Sequence, residues 1–212
     1  MKKLALVLLL VGALVPSAEA GIVTGDKVQI LDYFSGSTNG GEFWANGPGT
    51  SDFYTFCIER DEYFNPGGTY FAEISDSAQF GGVGGPSPDP LDTKTAYLYS
   101  FFLANRGTMN IAQIDGIQLA IWRIEEEVDS SYSGLGSVAA RSAADLYYAN
   151  SAGATGFYGV EVMRLWSGYN PGTGEFSGAQ QDMLVVPDGG TTLALLGCAL
   201  IGLGALRRKF GA

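Results

Sequence analysis

Thr191 to Leu206 is a run of sixteen residues without a charge, and Arg207, Arg208 and Lys209 follow it at once. As a helix the run would measure about 24 Å, short of the roughly 30 Å hydrocarbon core, a deficit that snorkelling of the basic side chains can partly cover. A run apolar on all sides is not an amphipathic surface helix. It predicts a single transmembrane helix over 191–206, oriented by the basic cluster 207–209 with the C-terminus in the cytoplasm. Ala194, Cys198 and Gly202 recur every four residues and form a small-residue face suited to helix contact. The opposite end is also set apart. Lys2 and Lys3 precede the apolar stretch Leu4 to Val15, and Ala18-Glu19-Ala20 supplies a small-x-small site. That order predicts a signal peptide over 1–20, cleaved by signal peptidase before Gly21.

The expected domain between these ends spans 21–186. Of the chain's 22 acidic residues only Glu19 and Asp188 lie outside it, and of its 12 basic residues five do, leaving 20 acidic against 7 basic. Nucleic-acid binding depends on clustered Lys and Arg, so no nucleic-acid partner is expected. There is no histidine, which excludes Ser-His-Asp and Cys-His catalysis, His-bound zinc and HExxH chemistry. The carboxylates are plentiful but scattered. No pair stands out for a glycosidase, no metal site is motivated, no cofactor is expected and the chain reads as a non-enzyme. The two cysteines, Cys57 and Cys198, would lie in different phases, so no internal disulfide is expected. Trp44, Trp122 and Trp166 with eleven tyrosines could stack on a glycan, although core packing is the commoner use.

Alternation predicts strands at 26–34, 53–59, 69–74, 157–166 and 182–186. Helical patterns cover 93–105 with Asp92 as N-cap and Gly107 just past the end, 116–127, and 138–149 with Ser137 as cap and Asn150 as a left-handed stop. Segment 79–91 reads as a loop. Glu125, Glu126 and Glu127 read as a solvated helix end, with the wrong charge for its dipole. The class is α+β: a sheet-rich, sandwich-like domain with inserted helices, plus the C-terminal helix.

The tail 187–212 runs Pro187-Asp188-Gly189-Gly190 after Val186, then the apolar helix, then the basic cluster, then the chain end. This order resembles the PEP-CTERM sorting signal, and more closely its VPDSG variant, with Gly189 where the variant has Ser. The resemblance implies recognition of Pro187, Asp188, Gly189 and Gly190 by an exosortase-type sorting peptidase. Membrane anchoring would then give way to delivery into the cell envelope or an exopolysaccharide matrix.

A second resemblance rests on two short stretches. Cys57 lies in Phe53-Tyr54-Thr55-Phe56-Cys57-Ile58-Glu59, and Gln118 in Gly116-Ile117-Gln118-Leu119-Ala120-Ile121-Trp122. A glutamine on an apolar helical stripe needs partners for its amide. A strand cysteine followed by Gln-x-Ala-Ile-Trp resembles the thioester domains of bacterial surface adhesins. That likeness implies Cys57 as sulfur donor and Gln118 as acyl donor of an internal thioester able to bond a surface amine. The alternative is that Cys57 is a small buried hydrophobe and Gln118 hydrogen-bonds locally.

Overall fold

The computed structural model describes residues 21–32, 41–47, 52–81 and 87–187. Alternating Val28 and Ile30, both fully buried, set the inward face of β1 (Lys27–Asp32). β2 (Phe43–Asn46) and β3 (Phe53–Thr55) follow on one side of it, and β4 (Thr69–Ser75) on the other. Ser77–Ala78 (β5) and Asp89–Pro90 (β6) form a two-stranded ribbon, the second of its strands inside the segment 79–91 that the sequence reads as loop. Three helices come next, and then a long antiparallel hairpin, β7 (Glu161–Asn170) with β8 (Glu175–Val185). The six long strands make one antiparallel sheet in the order β3-β2-β1-β4-β7-β8.

The two ends of this sheet meet. Beyond Thr55 the chain leaves β2 and bridges β8 through Cys57 and Met183. Ile58 N–H donates to the Asp182 carbonyl, Leu184 N–H donates to the Phe56 carbonyl, and the Thr55 hydroxyl donates to the Leu184 carbonyl. The sheet is thus curled back on itself, and its buried side chains share one core with those of the helices. The expected strand 53–59 is therefore two short pieces with different partners.

The first helix, α1 (Thr93–Asn105), begins at the expected cap, where the Asp92 carboxylate accepts the Lys94 N–H. Its Phe102 ring meets Phe56 edge-on at 4.7 Å between centroids, and the Tyr99 hydroxyl donates to the Tyr54 carbonyl. The second helix, α2 (Ile111–Ile124), starts five residues before the expected Gly116 and ends before Glu127. Its true start is a capping box in which Asn110 and Gln113 satisfy each other's backbone N–H groups. Ten of its fourteen residues are buried, so it is the central helix of the domain. At Gly116 an added Cβ would lie 2.6 Å from the Ala143 Cβ, which lets α3 (Val138–Asn150) approach the α2 backbone closely. The α3 cap is Ser137 as expected. Asn150, however, is a right-handed residue inside the helix rather than a left-handed stop.

The acidic run after α2 is not a solvated end. Glu125 and Glu127 are buried, accepting the backbone N–H groups of Asp92 and Arg60. Only Glu126, at φ 63°, faces outward. Desolvation by burial lifts the Glu125 carboxyl to about 7. The α+β class holds for the described residues, and none of their helices is long and apolar enough to cross a membrane. The expected segments 1–20 and 191–206 lie outside the described residues.

Candidate functional site

An antiparallel bridge of the kind joining Cys57 to Met183 takes its hydrogen bonds from the flanking residues, so the Cys57 N–H and C=O point away from β8. The β2–β3 register pairs Phe43 with Thr55, and continuing it would bring Gly41 opposite Cys57. β2 begins only at Phe43, and no strand among the described residues serves these two buried groups. Gln118 does. Its Oε1 accepts the Cys57 N–H at 3.2 Å, and its Nε2 donates to the Cys57 carbonyl at 2.8 Å. The carboxamide acts as one residue of a missing neighbouring strand. Gln118 is completely buried and Cys57 nearly so, which accounts for a polar residue in the middle of an apolar helix.

The structure therefore brings Cys57 and Gln118 together, with the contact running from amide to main chain. Phe56 and Trp122, neighbours of the pair in the two sequence stretches, are both buried in the same core. Burial pushes the Cys57 thiol far above its ordinary range, and the negative charge of Glu62 adds to the effect. The described cysteine is free.

Acidic groups crowd the neighbouring positions. Glu59, two residues past Cys57, accepts the Phe80 N–H on Oε1 at 3.0 Å, and its own carbonyl takes the Gln181 Nε2 at 2.6 Å. Asp182, beside the bridge residue Met183, accepts the Gln79 N–H on Oδ2. Burial raises Glu59 to about 10 and Asp182 to about 7. For Glu59 the proximity of Glu62 and Asp182 adds to the effect of burial. Sequence reasoning missed this grouping because its members come from opposite ends of the domain sequence. The only local signal was an acidic residue two places beyond Cys57.

The three tryptophans form no common stacking face. Trp122 is in the core, Trp44 packs edge-on against Tyr54 at 5.6 Å, and Trp166 donates its Nε1–H to Glu73. A row of half-buried rings does cross β4, β7 and β8: Phe71 to Tyr169 at 5.7 Å, Tyr169 to Phe176 at 4.5 Å, and Phe176 to Trp166 at 5.6 Å.

Of the expected sorting residues, Pro187 is the last described. Asp188, Gly189, Gly190 and the cluster Arg207, Arg208 and Lys209 lie beyond it. β8 ends at Val185, so the last strand passes straight into this segment. No curated protein and no solved structure matches the chain. Residues 185–210 match the family model of the VPDSG-CTERM motif, and the chain therefore carries a sorting signal of the PEP-CTERM/VPDSG type.

Proposed function

We propose that the chain is a non-enzymatic surface or matrix protein, exported through the signal peptide 1–20 and held by the 191–206 helix. An exosortase-type peptidase then processes it near Pro187–Gly190. The VPDSG-CTERM match at 185–210 carries this reading. The end of β8 at Val185 supports it, because a cut after Pro187 removes the tail without touching a strand of the sheet. The test is C-terminal peptide mapping of the mature protein in a host with such a peptidase and in one without it. Loss of the tail in the first and retention in the second is the expected result. Ala212 present on all mature protein in the first host would leave a plain single-span anchor. Neutral residues at Arg207, Arg208 and Lys209 should impair orientation or retention.

A second reading, a covalent adhesin, is favoured by the docking of Gln118 on Cys57. In it the Cys57 sulfur attacks the Gln118 carboxamide carbon, a C–S bond forms, the C–N bond breaks, and ammonia leaves carrying the thiol proton. A surface amine later attacks the thioester carbonyl and the sulfur departs as thiolate. The Cys57 N–H at Gln118 Oε1 lies where it would stabilise negative charge developing on that oxygen. Intact mass decides: a deficit of about 17 Da, absent in Cys57→Ala, marks the bond. Full mass in the wild type leaves the carboxamide as a structural clamp.

A further inference from the structure

We propose that Glu59, Glu62 and Asp182 form a binding site for a hard divalent cation, with calcium the best fit. One carboxylate oxygen from each residue lies within 4.8 Å of those of the other two. That is the span of a calcium coordination sphere, whose bonds measure about 2.3–2.6 Å each. Each carboxylate also keeps one buried oxygen that takes no hydrogen bond from an N–H or hydroxyl donor, namely Glu59 Oε2, Glu62 Oε2 and Asp182 Oδ1, and the Glu59 and Glu62 side chains lie within hydrogen-bond reach of each other. Glu59 is only 4% exposed and Asp182 only 1%. Orphaned acceptors at such depth are costly unless something engages them.

The second oxygens of Glu59 and Asp182 are already committed. Phe80 N–H holds Glu59 Oε1, and Gln79 N–H holds Asp182 Oδ2, so both carboxylates are fixed in orientation. The backbone beneath them is fixed as well, by the Ile58 N–H to Asp182 carbonyl bond at the closure of the sheet. Among the described residues no cation pairs directly with the group. Arg164, whose charge reaches Asp182, gives its N–H groups to Ser77 and Ala78 and pairs with Glu73 at 3.8 Å. Three acids in this position must be neutralised by protons or by a cation. A cation engages one oxygen from each of the three carboxylates at once. The ligand set is oxygen alone, which suits calcium or magnesium and not zinc or copper, and water can complete the sphere. Glu62, half-buried, is the member of the cluster nearest to solvent. A bound ion would tie the segment after β3 and the 79–80 backbone to β8, locking the curled sheet where its two ends meet.

The proposal is independent of the thioester. The full chain in detergent, stripped with a chelator, is titrated with calcium chloride at neutral pH by calorimetry, and its thermal unfolding is followed with and without the metal. One site per chain is expected, with a Kd of about 10⁻⁴–10⁻³ M, as in extracellular modules. At about 10 mM calcium the Tm should rise by roughly 3–10 °C. Glu59→Gln with Asp182→Asn should abolish both effects, and in chelator this variant should be at least as stable as the wild type, because buried acid crowding is gone. A cluster held by shared protons would give the variant the same advantage with and without calcium. No binding heat and no Tm shift in the wild type overturns the proposal and assigns the cluster to shared protons. A calcium response that survives in the variant places the ion elsewhere and overturns it equally. The wild-type titration decides even where the variant does not fold.

Discussion

Replacing Gln118 by Met keeps the length and approximate volume of the side chain while removing its donor and its acceptor. The replacement leaves the Cys57 N–H and C=O buried at a position where β8 faces the other way and β2 has not begun. An orphaned buried backbone group costs about 1–3 kcal/mol, so the pair should cost about 2–6 kcal/mol. The volume change itself contributes little. Cys57→Ala, by contrast, removes only a sulfur and leaves both main-chain bonds intact, at a cost of about 1 kcal/mol. Gln118→Glu keeps the acceptor for the Cys57 N–H but meets the carbonyl with a donor only when protonated, so its penalty should grow as pH rises. Equilibrium urea unfolding, read by tryptophan fluorescence with m held in common, measures all three. Gln118→Met within about 0.5 kcal/mol of wild type, the range of an ordinary surface change, would refute the clamp.

Glu125 retains its proton up to about pH 7 in the native state, against an ordinary 4.5. The native state thus binds more protons than the unfolded state between those values, and stability falls as pH rises through that window, by about 3 kcal/mol in all. Glu125→Gln should remove this part of the slope in a pH series of urea midpoints. Gly116→Ala places a Cβ 2.6 Å from that of Ala143 and 3.1 Å from the Ala140 carbonyl; it should force α2 and α3 apart and cost about 1–3 kcal/mol, visible as a lower Tm. Arg106→Met strands the fully buried Glu42 that it pairs with. The expected loss is about 3–5 kcal/mol at neutral pH, shrinking in acid as Glu42 protonates.

The elements legible in the sequence were those whose signals are local. Asp92 and Ser137 mark the starts of α1 and α3 because a cap is a contact between near neighbours. α2 was misplaced because Gly116 reads as a boundary, whereas here it is an interior residue at which α3 comes close; the Asn110 and Gln113 box was the signal to follow. The 53–59 run alternates like one strand. Where it changes partner from β2 to β8 depends on the curl of the whole sheet, which no local pattern encodes. The same holds for Glu125 and Glu127, whose burial depends on Asp92 and Arg60 arriving from elsewhere. Gln118 was legible as an anomaly, a buried amide requiring partners. That its partner would be the main chain of Cys57 was not.

The thiol of Cys57 separates the two readings of that contact. Its environment opposes ionisation, through burial first and the charge of Glu62 second, and only the thiolate reacts with an alkylating agent. Because Cys57 is 3% exposed in the centre of the core, its alkylation must wait for opening of the sheet closure between β3 and β8. A domain of ordinary stability should then modify Cys57 at least about 10³-fold more slowly folded than unfolded. Peptide mapping keeps the signal separate from that of Cys198. In denaturant the clamp predicts full alkylation of Cys57 together with an unchanged Gln118. A thioester predicts otherwise: its hydrolysis on unfolding frees the sulfur but leaves the peptide around residue 118 carrying Glu, about 1 Da heavier than Gln. Rapid alkylation of the folded protein would refute both, since neither a buried clamp nor a shielded thioester permits it.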